Sequence, residues 1–347
     1  KVLEVATHPA RGYAYIYACQ LSAASLPKNP RAFLRLGEEL LRAAAALPED
    51  VLPPAPPFVS RPQLSAEALL LISQAQNLLG DARAARASAQ QARAALQASF
   101  DTEFLGAICD YFEGSAASFA GEFEAAERLL ESAGTTFREF GQTNWEGRAL
   151  AALGTLVAQQ ERDGEALALF DRARSLLDRI LDAGPYVMTL INEALSLVFL
   201  GRLDDARATY AEALQLALRL GSPVQLHAIR NGLAIIEMRR GRFEKALSAF
   251  EKQAVRARGL GFVEDLLYAE LHVAECLATL GRETLVESAL SRLNELLAGQ
   301  PGRFIDAPEL QELSTLRVDS SPEALDALRR VRLTFERRYL GRIVAPA

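Results

Sequence analysis

Glu270, His272, Glu275 and Cys276 stand close together, and all four side chains are of kinds that ligate transition metals. On a helix, His272 and Glu275 share a face at a spacing of three, as in bundle proteins that hold two metal ions between carboxylate-histidine pairs. Such a site needs a second matching pair, and the remaining histidines, His8 and His227, do not supply one. The cluster therefore reads as an ordinary helix, and neither metal nor cofactor is expected. Cys19, Cys109 and Cys276 are far apart, odd in number and form no C-x-x-C pair, so they read as small buried hydrophobes. The chain has no phosphate loop ending in Lys-Ser or Lys-Thr, no G-x-G-x-x-G between strand and helix, and no G-x-S-x-G elbow. No catalytic residue can be assigned, and the chain is expected not to be an enzyme.

Charge points the same way. A formal net charge of −6 and a pI near 5.4 give no general attraction to phosphate backbones or anionic lipid, so binding of nucleic acid by this segment is not expected. Arg329, Arg330, Arg332, Arg337, Arg338 and Arg342 form a basic C-terminal run that could touch phosphate. Interleaved acidic residues and the apolar Leu325, Leu328, Val331 and Phe335 favour an amphipathic capping helix instead. Tyr13, Tyr15 and Tyr17 offer contact area, but a spacing of two scatters them around a helix, which favours packing over ligand contact. No apolar run approaches the roughly 20 residues of a membrane span and no signal peptide is visible, so a cytoplasmic protein without membrane contact is expected. The first residue is Lys1 and not Met, so a piece of a longer protein is one expectation.

The elements that position these side chains are helices. Half of the 347 residues are hydrophobic and only 7% aromatic, with Ala, Leu and Arg recurring throughout. A short pattern returns every 40 residues: Gly121, Glu161 in the place of a glycine, Gly201, Gly241 and Gly281, preceded one residue out of phase by Gly80. Five residues after these anchors come Ala85, Ala126, Ala166, Ala206, Ala246 and the departing Val286. Seven before them come Ser73, Gly114, Gly154, Ala194, Ala234 and Ala274. Small residues 12 apart on either side of a turn imply two helices in close approach, a helical hairpin. Nine residues after the anchor a bulky side chain recurs, Leu130, Phe170, Tyr210, Phe250 or Leu290, with a further Ala at 133, 173 and 213. Together they make the apolar face of the second helix.

These spaced residues resemble the tetratricopeptide repeat (TPR), which has a small residue in its first helix, Gly at the turn, then Ala, an aromatic and Ala in its second. The resemblance covers roughly residues 63 to 300. It departs from the usual period of about 34 residues and lacks the usual closing Pro. The extra length falls in second helices ending in Phe140-Gly141, Leu220-Gly221 and Leu260-Gly261, where Gly can take the left-handed closing conformation. Repeats of this long kind are similar to those of bacterial multidomain transcription regulators of the maltose-activator type and of kinesin light chains. The resemblance implies an all-α fold, a right-handed α-α superhelix (solenoid) of stacked antiparallel hairpins.

Seven pairs are expected: an irregular N-terminal pair within 1–50 (Ala10 to Ser25 and Pro30 to Leu47), then a Pro-rich connector over 51–62 and six repeats over 63–300. Capping helices are expected over 301–347, with a helix start at Ser321-Pro322. In TPR proteins the first helices line a concave groove. Carrying that register over places Tyr111, Arg148, Asn192, Asn231, Arg239 and Tyr268 on or near it, with Asn and Arg available for a peptide backbone or terminal carboxylate. The function so implied is a non-catalytic scaffold or sensor for a peptide, a protein segment or a small effector. The alternative is the regulatory arm of a multidomain ATPase or transcription regulator. Oligomeric state is not readable.

Overall fold

The computed structural model describes residues 30–45, 61–96, 103–299 and 322–343, and these form fourteen helices and no strand. They are α1 (Pro30–Ala45), α2 (Arg61–Leu78), α3 (Ala82–Leu96), α4 (Glu103–Ala120), α5 (Phe123–Glu139), α6 (Thr143–Gln159) and α7 (Asp163–Leu176). There follow α8 (Ala183–Phe199), α9 (Leu203–Leu220), α10 (Pro223–Arg239), α11 (Phe243–Leu260), α12 (Val263–Thr279), α13 (Glu283–Ala298) and α14 (Pro322–Ile343). The pairs α2–α3 through α12–α13 are the six registered hairpins, and the fold is an all-α helical repeat. Of the irregular first pair, α1 is present, while the segment 10–25 lies outside the described residues. So does the connector, except that Arg61 and Pro62 sit in the first turn of α2, where a missing N–H leaves no bond unmade.

The anchors behave as the register requires. Gly80, Gly121, Gly201, Gly241 and Gly281 all have φ between +68° and +81°, and Glu161 follows them at +64°. In each turn the next residue donates its N–H five positions back, Asp81 to Gln76, Glu122 to Ala117, Arg162 to Val157, Arg202 to Leu197, Arg242 to Glu237 and Arg282 to Leu277. This closure satisfies a carbonyl that the helix end would otherwise leave bare. Gly141, Gly221 and Gly261 repeat the left-handed conformation between hairpins.

Close approach is enforced by size. Ala85, Ala126, Ala166, Ala206 and Ala246 are fully buried and Val286 nearly so. A Cβ on Gly114 would stand 2.9 Å from Leu130 Cγ, and one on Gly154 would stand 2.7 Å from the Phe170 ring. At Ser73 the small side chain also bonds, its Oγ donating to Ala85 O at 2.7 Å across the turn.

The helices group into two compact units, residues 1–156, 169–186 and 345–347 in the first, 157–168 and 187–344 in the second. The first unit has a core in which Leu130, Phe137, Tyr111 and Leu156 are buried and Phe104 and Trp145 pack against them. Phe33 and Leu40 of α1 close it against Ala75 and Ala68 of α2. The second unit centres on Tyr210, Phe250 and Tyr268, each almost fully buried. Cys109 and Cys276 are buried free thiols, and burial pushes both up to about 12, as expected of small core residues. Among the described residues no helix is long and apolar enough to cross a membrane.

Candidate functional site

In the first unit, Tyr111 is 1% exposed, its ring edge-on to Phe112 and Trp145 at 5.3 and 5.7 Å. Arg148 lies over the Trp145 ring, 4.8 Å from its centroid, and pairs with Asp182 at 3.2 Å. Its guanidinium is thus fixed by an aromatic face and a carboxylate at once.

In the second unit, Ser222 and Pro223 start α10, with the Ser222 Oγ accepting from Gln225 N–H, and so orient the helix that carries Asn231 and Arg239. Asn231 is 2% exposed, and neither its side-chain oxygen nor its nitrogen has a hydrogen-bond partner among the described residues. A buried amide in that state carries an uncompensated desolvation penalty. Asn192 on α8 is fully buried. Arg239 is exposed, its guanidinium 5.9 Å from the Phe199 ring centroid.

Tyr268 on α12 is 2% exposed, and its ring lies tilted by 39° against His272 with centroids 4.4 Å apart, while Phe250 stacks on the same imidazole, also at 4.4 Å. His272 Nδ1–H donates to Tyr268 O at 2.8 Å. Burial, reinforced by the cation of Arg332, holds the imidazole well below its ordinary pKa, so it stays neutral. The neighbouring acids point elsewhere: Glu270 takes Arg258 and Arg292 at 3.0 and 2.9 Å, and Glu275 takes Arg332. Among the described residues no group of His, Cys, Asp and Glu is placed to hold a metal ion.

A further polar arrangement involves residues that spacing alone did not single out. The helix α14 is amphipathic, with Leu328, Val331 and Phe335 buried, and it lies against first helices of the second unit. Its Arg332 Nε stands 2.6 Å from Glu275 Oε2 of α12, with Arg329 Nε 3.6 Å from the other oxygen. Within α14, Arg332 also pairs with the fully buried Glu336. Burial opposes the Arg332 charge, but Glu336 and Glu275 outweigh it and raise the guanidinium pKa. Phe335 faces Tyr268 at 6.4 Å. One turn on, Arg337 lies over the Phe199 ring of α8 at 3.4 Å, clasps both oxygens of Asp163 at 3.0 and 2.8 Å, and donates to Ala158 O at 2.9 Å. Asp163 opens α7, where the helix dipole also favours a carboxylate. In sequence, Arg337 is one of six arginines and Asp163 one acid among many, so neither carried a signal.

No protein-family model matches the chain, and no curated protein matches it in sequence. Solved structures do. A Rap protein complexed with competence and sporulation factor matches with a TM-score of 0.68 at 12% identity over 95% of this chain and 88% of that one. NprR in complex with its cognate peptide NprX gives 0.61 at 13% identity, covering 94% and 86%. A signal transduction ATPase with numerous domains and a tetratricopeptide repeat sensor, from Pyrococcus horikoshii, gives 0.58 at 16%, covering 96% of this chain and 51% of that one. At these identities the likeness is one of fold alone, and the chain folds as tetratricopeptide-like helical repeats do.

Proposed function

We propose that this chain is a non-catalytic TPR-like scaffold or sensor that recognises a peptide or protein segment through its first helices. The observation that carries the reading is Asn231, a buried side-chain amide on a first helix with both polar atoms unpartnered among the described residues. An extended peptide offers a matching donor and acceptor at every residue, and a helical one at its termini and polar side chains. In the second unit, Asn192 and Asn231 would grip such a backbone, Arg239 would meet a carboxylate, and Tyr268 would back the site. In the first unit, Arg148 over Trp145 and the neighbouring Tyr111 would do the equivalent work. The peptide complexes of NprR and of the Rap conjugation regulator of plasmid pLS20 support the class of ligand.

The test begins with peptides selected from a random display library against the full chain. Asn231→Ala, and separately Arg239→Glu, should weaken the selected peptides at least about ten-fold, in line with the loss of one hydrogen-bonded or charged contact. Circular dichroism should be unchanged. Affinities equal to wild type would remove the site.

A second reading, a regulatory arm of a multidomain ATPase or transcription regulator, is favoured by the match to the signal transduction ATPase, of which the matched part is about half. Coding sequence for an ATPase or helix-turn-helix domain beside this segment is its expected mark; stop codons on both sides would discard it.

A further inference from the structure

Deepening the peptide-recognition reading above, and resting on it, we infer that the first-helix side of the second unit is a receptor for a basic amphipathic helix, and that α14 is its built-in occupant. The helix α14 stands outside the 40-residue period, yet its contacts reach three hairpins: Glu275 and Tyr268 on α12, Phe199 on α8, and the α6–α7 turn at Ala158 and Asp163. Eight residues of helix from Arg329 to Arg337 advance about 12 Å, so α14 crosses the first helices instead of adding another hairpin to the row.

The chemistry of the seat defines what fits it. The receptor side offers two buried carboxylates, Glu275 and Asp163, with side chains 7% and 5% exposed, and two aromatic rings, Tyr268 and Phe199. Without α14, Asp163 loses the guanidinium that compensates its burial, and Glu275 loses both arginines it faces. An occupant must return two guanidiniums five residues apart, as Arg332 and Arg337 are, flanking apolar residues at the spacing of Leu328, Val331 and Phe335. A Lys at the Asp163 seat could supply a charge to both oxygens, as Arg337 Nη1 does alone, but not the planar guanidinium that lies on the Phe199 face.

Two features mark the seat as exchangeable. Beside the apolar packing of Leu328, Val331 and Phe335, it is held by buried ion pairs, which stabilise less than apolar contacts of the same volume but discriminate strongly between partners. In addition, Arg332 pairs with Glu336 of its own helix, so α14 carries one counterion with it when it leaves. Asn231, unpartnered on α10 between the two helices that α14 touches, is a polar group that the resident helix leaves unsatisfied and a better-fitting partner would satisfy.

The probe is a fluorescent synthetic peptide of residues 322–343, titrated into the full chain and into a full-chain variant with Phe335→Ala and Arg337→Ala, which loosens α14 and leaves the receptor untouched. Hydrogen exchange on both proteins reports whether α14 amides open while the hairpins stay protected. The peptide should bind the loosened chain at least about ten-fold more tightly than wild type, because the resident helix no longer competes. Asp163→Arg in the loosened chain should abolish this binding, and a peptide carrying Arg337→Asp should restore part of it. Equal affinity for both chains, or no binding to a loosened chain whose α14 exchanges freely, overturns the proposal. So does loss of hairpin protection along with α14, which would make the helix part of the folding core. Library peptides that remain sensitive to Asn231→Ala but bind both chains alike would leave the scaffold reading standing without this one; a chain that binds no peptide in either form would end both.

Discussion

The ring of Tyr210 on α9 occupies the space in which a side chain at Gly232 on α10 would stand: a Cβ there would come within 2.1 Å of Tyr210 Cζ. Tyr210 is itself 1% exposed, so its ring has nowhere to move. Gly232→Ala is expected to destabilise the chain by about 2–3 kcal/mol, at the upper end of what overpacking a core does. Tyr210→Leu in the same chain should recover part of that loss, although Tyr210→Leu alone leaves a void. Non-additivity in urea denaturation of the double-mutant cycle checks the pair, and simple additivity of the two losses would contradict the contact.

Glu161 is the one described non-glycine residue with positive φ, and it is exposed in a turn where the other five repeats carry Gly. Left-handed backbone strains a residue with a Cβ by about 1 kcal/mol or somewhat more. Glu161→Gly should therefore stabilise by about 0.5–1 kcal/mol, the unfolded-state entropy of Gly offsetting part of the relief. A rise in the thermal midpoint without a change in peptide affinity is the expected outcome; a fall would show that the Glu161 side chain stabilises the turn.

His227 on α10 is 2% exposed and faces Asp265 on α12, with Nε2 3.5 Å from Oδ1. Burial, together with Arg230 beside it and Arg256 on α11, lowers its pKa from 6.5 to about 4. The unfolded chain thus takes up a proton below pH 6.5 that the folded chain refuses until about pH 4. The stability associated with neutral His227 is complete above pH 6.5 and is lost as pH falls through the window from 6.5 to 4, by on the order of 2–3 kcal/mol. His227→Gln should flatten the stability profile over that window while leaving the region above pH 7 unchanged. An identical acid slope in both proteins would assign the effect to other groups.

The repeat was legible because two local demands wrote themselves into residue type. A left-handed turn asks for Gly and close helix approach asks for Gly, Ala or Ser, so anchors at Gly201, Gly241 and Gly281 and small residues at Ala206 and Ala246 could be read without any long-range information. Even Glu161 was placed by register alone. The seat of α14 was not legible, because Arg337 and Asp163 are 174 positions apart and nothing local to either demands the other. The candidate site lies between these cases. Helical spacing sets Tyr111 and Tyr268 on the first helices, but a groove wall and a seam between hairpins differ by about one position around a helix, and only packing shows how deeply each ring sits. At Tyr111 the neighbour is Trp145 and at Tyr268 it is Phe335, one 34 and the other 67 residues further along the chain.

The glycines at the hairpin turns have a stereochemical consequence. At Gly121, Gly201, Gly241 and Gly281 a Cβ would meet nothing within 4 Å, so the turn excludes side chains by their handedness and not by their bulk. A D-amino acid has its low-energy backbone in this mirror-image region. Introduced at Gly241 by chemical ligation, D-alanine should stabilise the fold by several tenths of a kcal/mol by restricting the unfolded chain, whereas L-alanine should destabilise it by about 1 kcal/mol. The same methyl group, inverted at one carbon, would move stability in opposite directions.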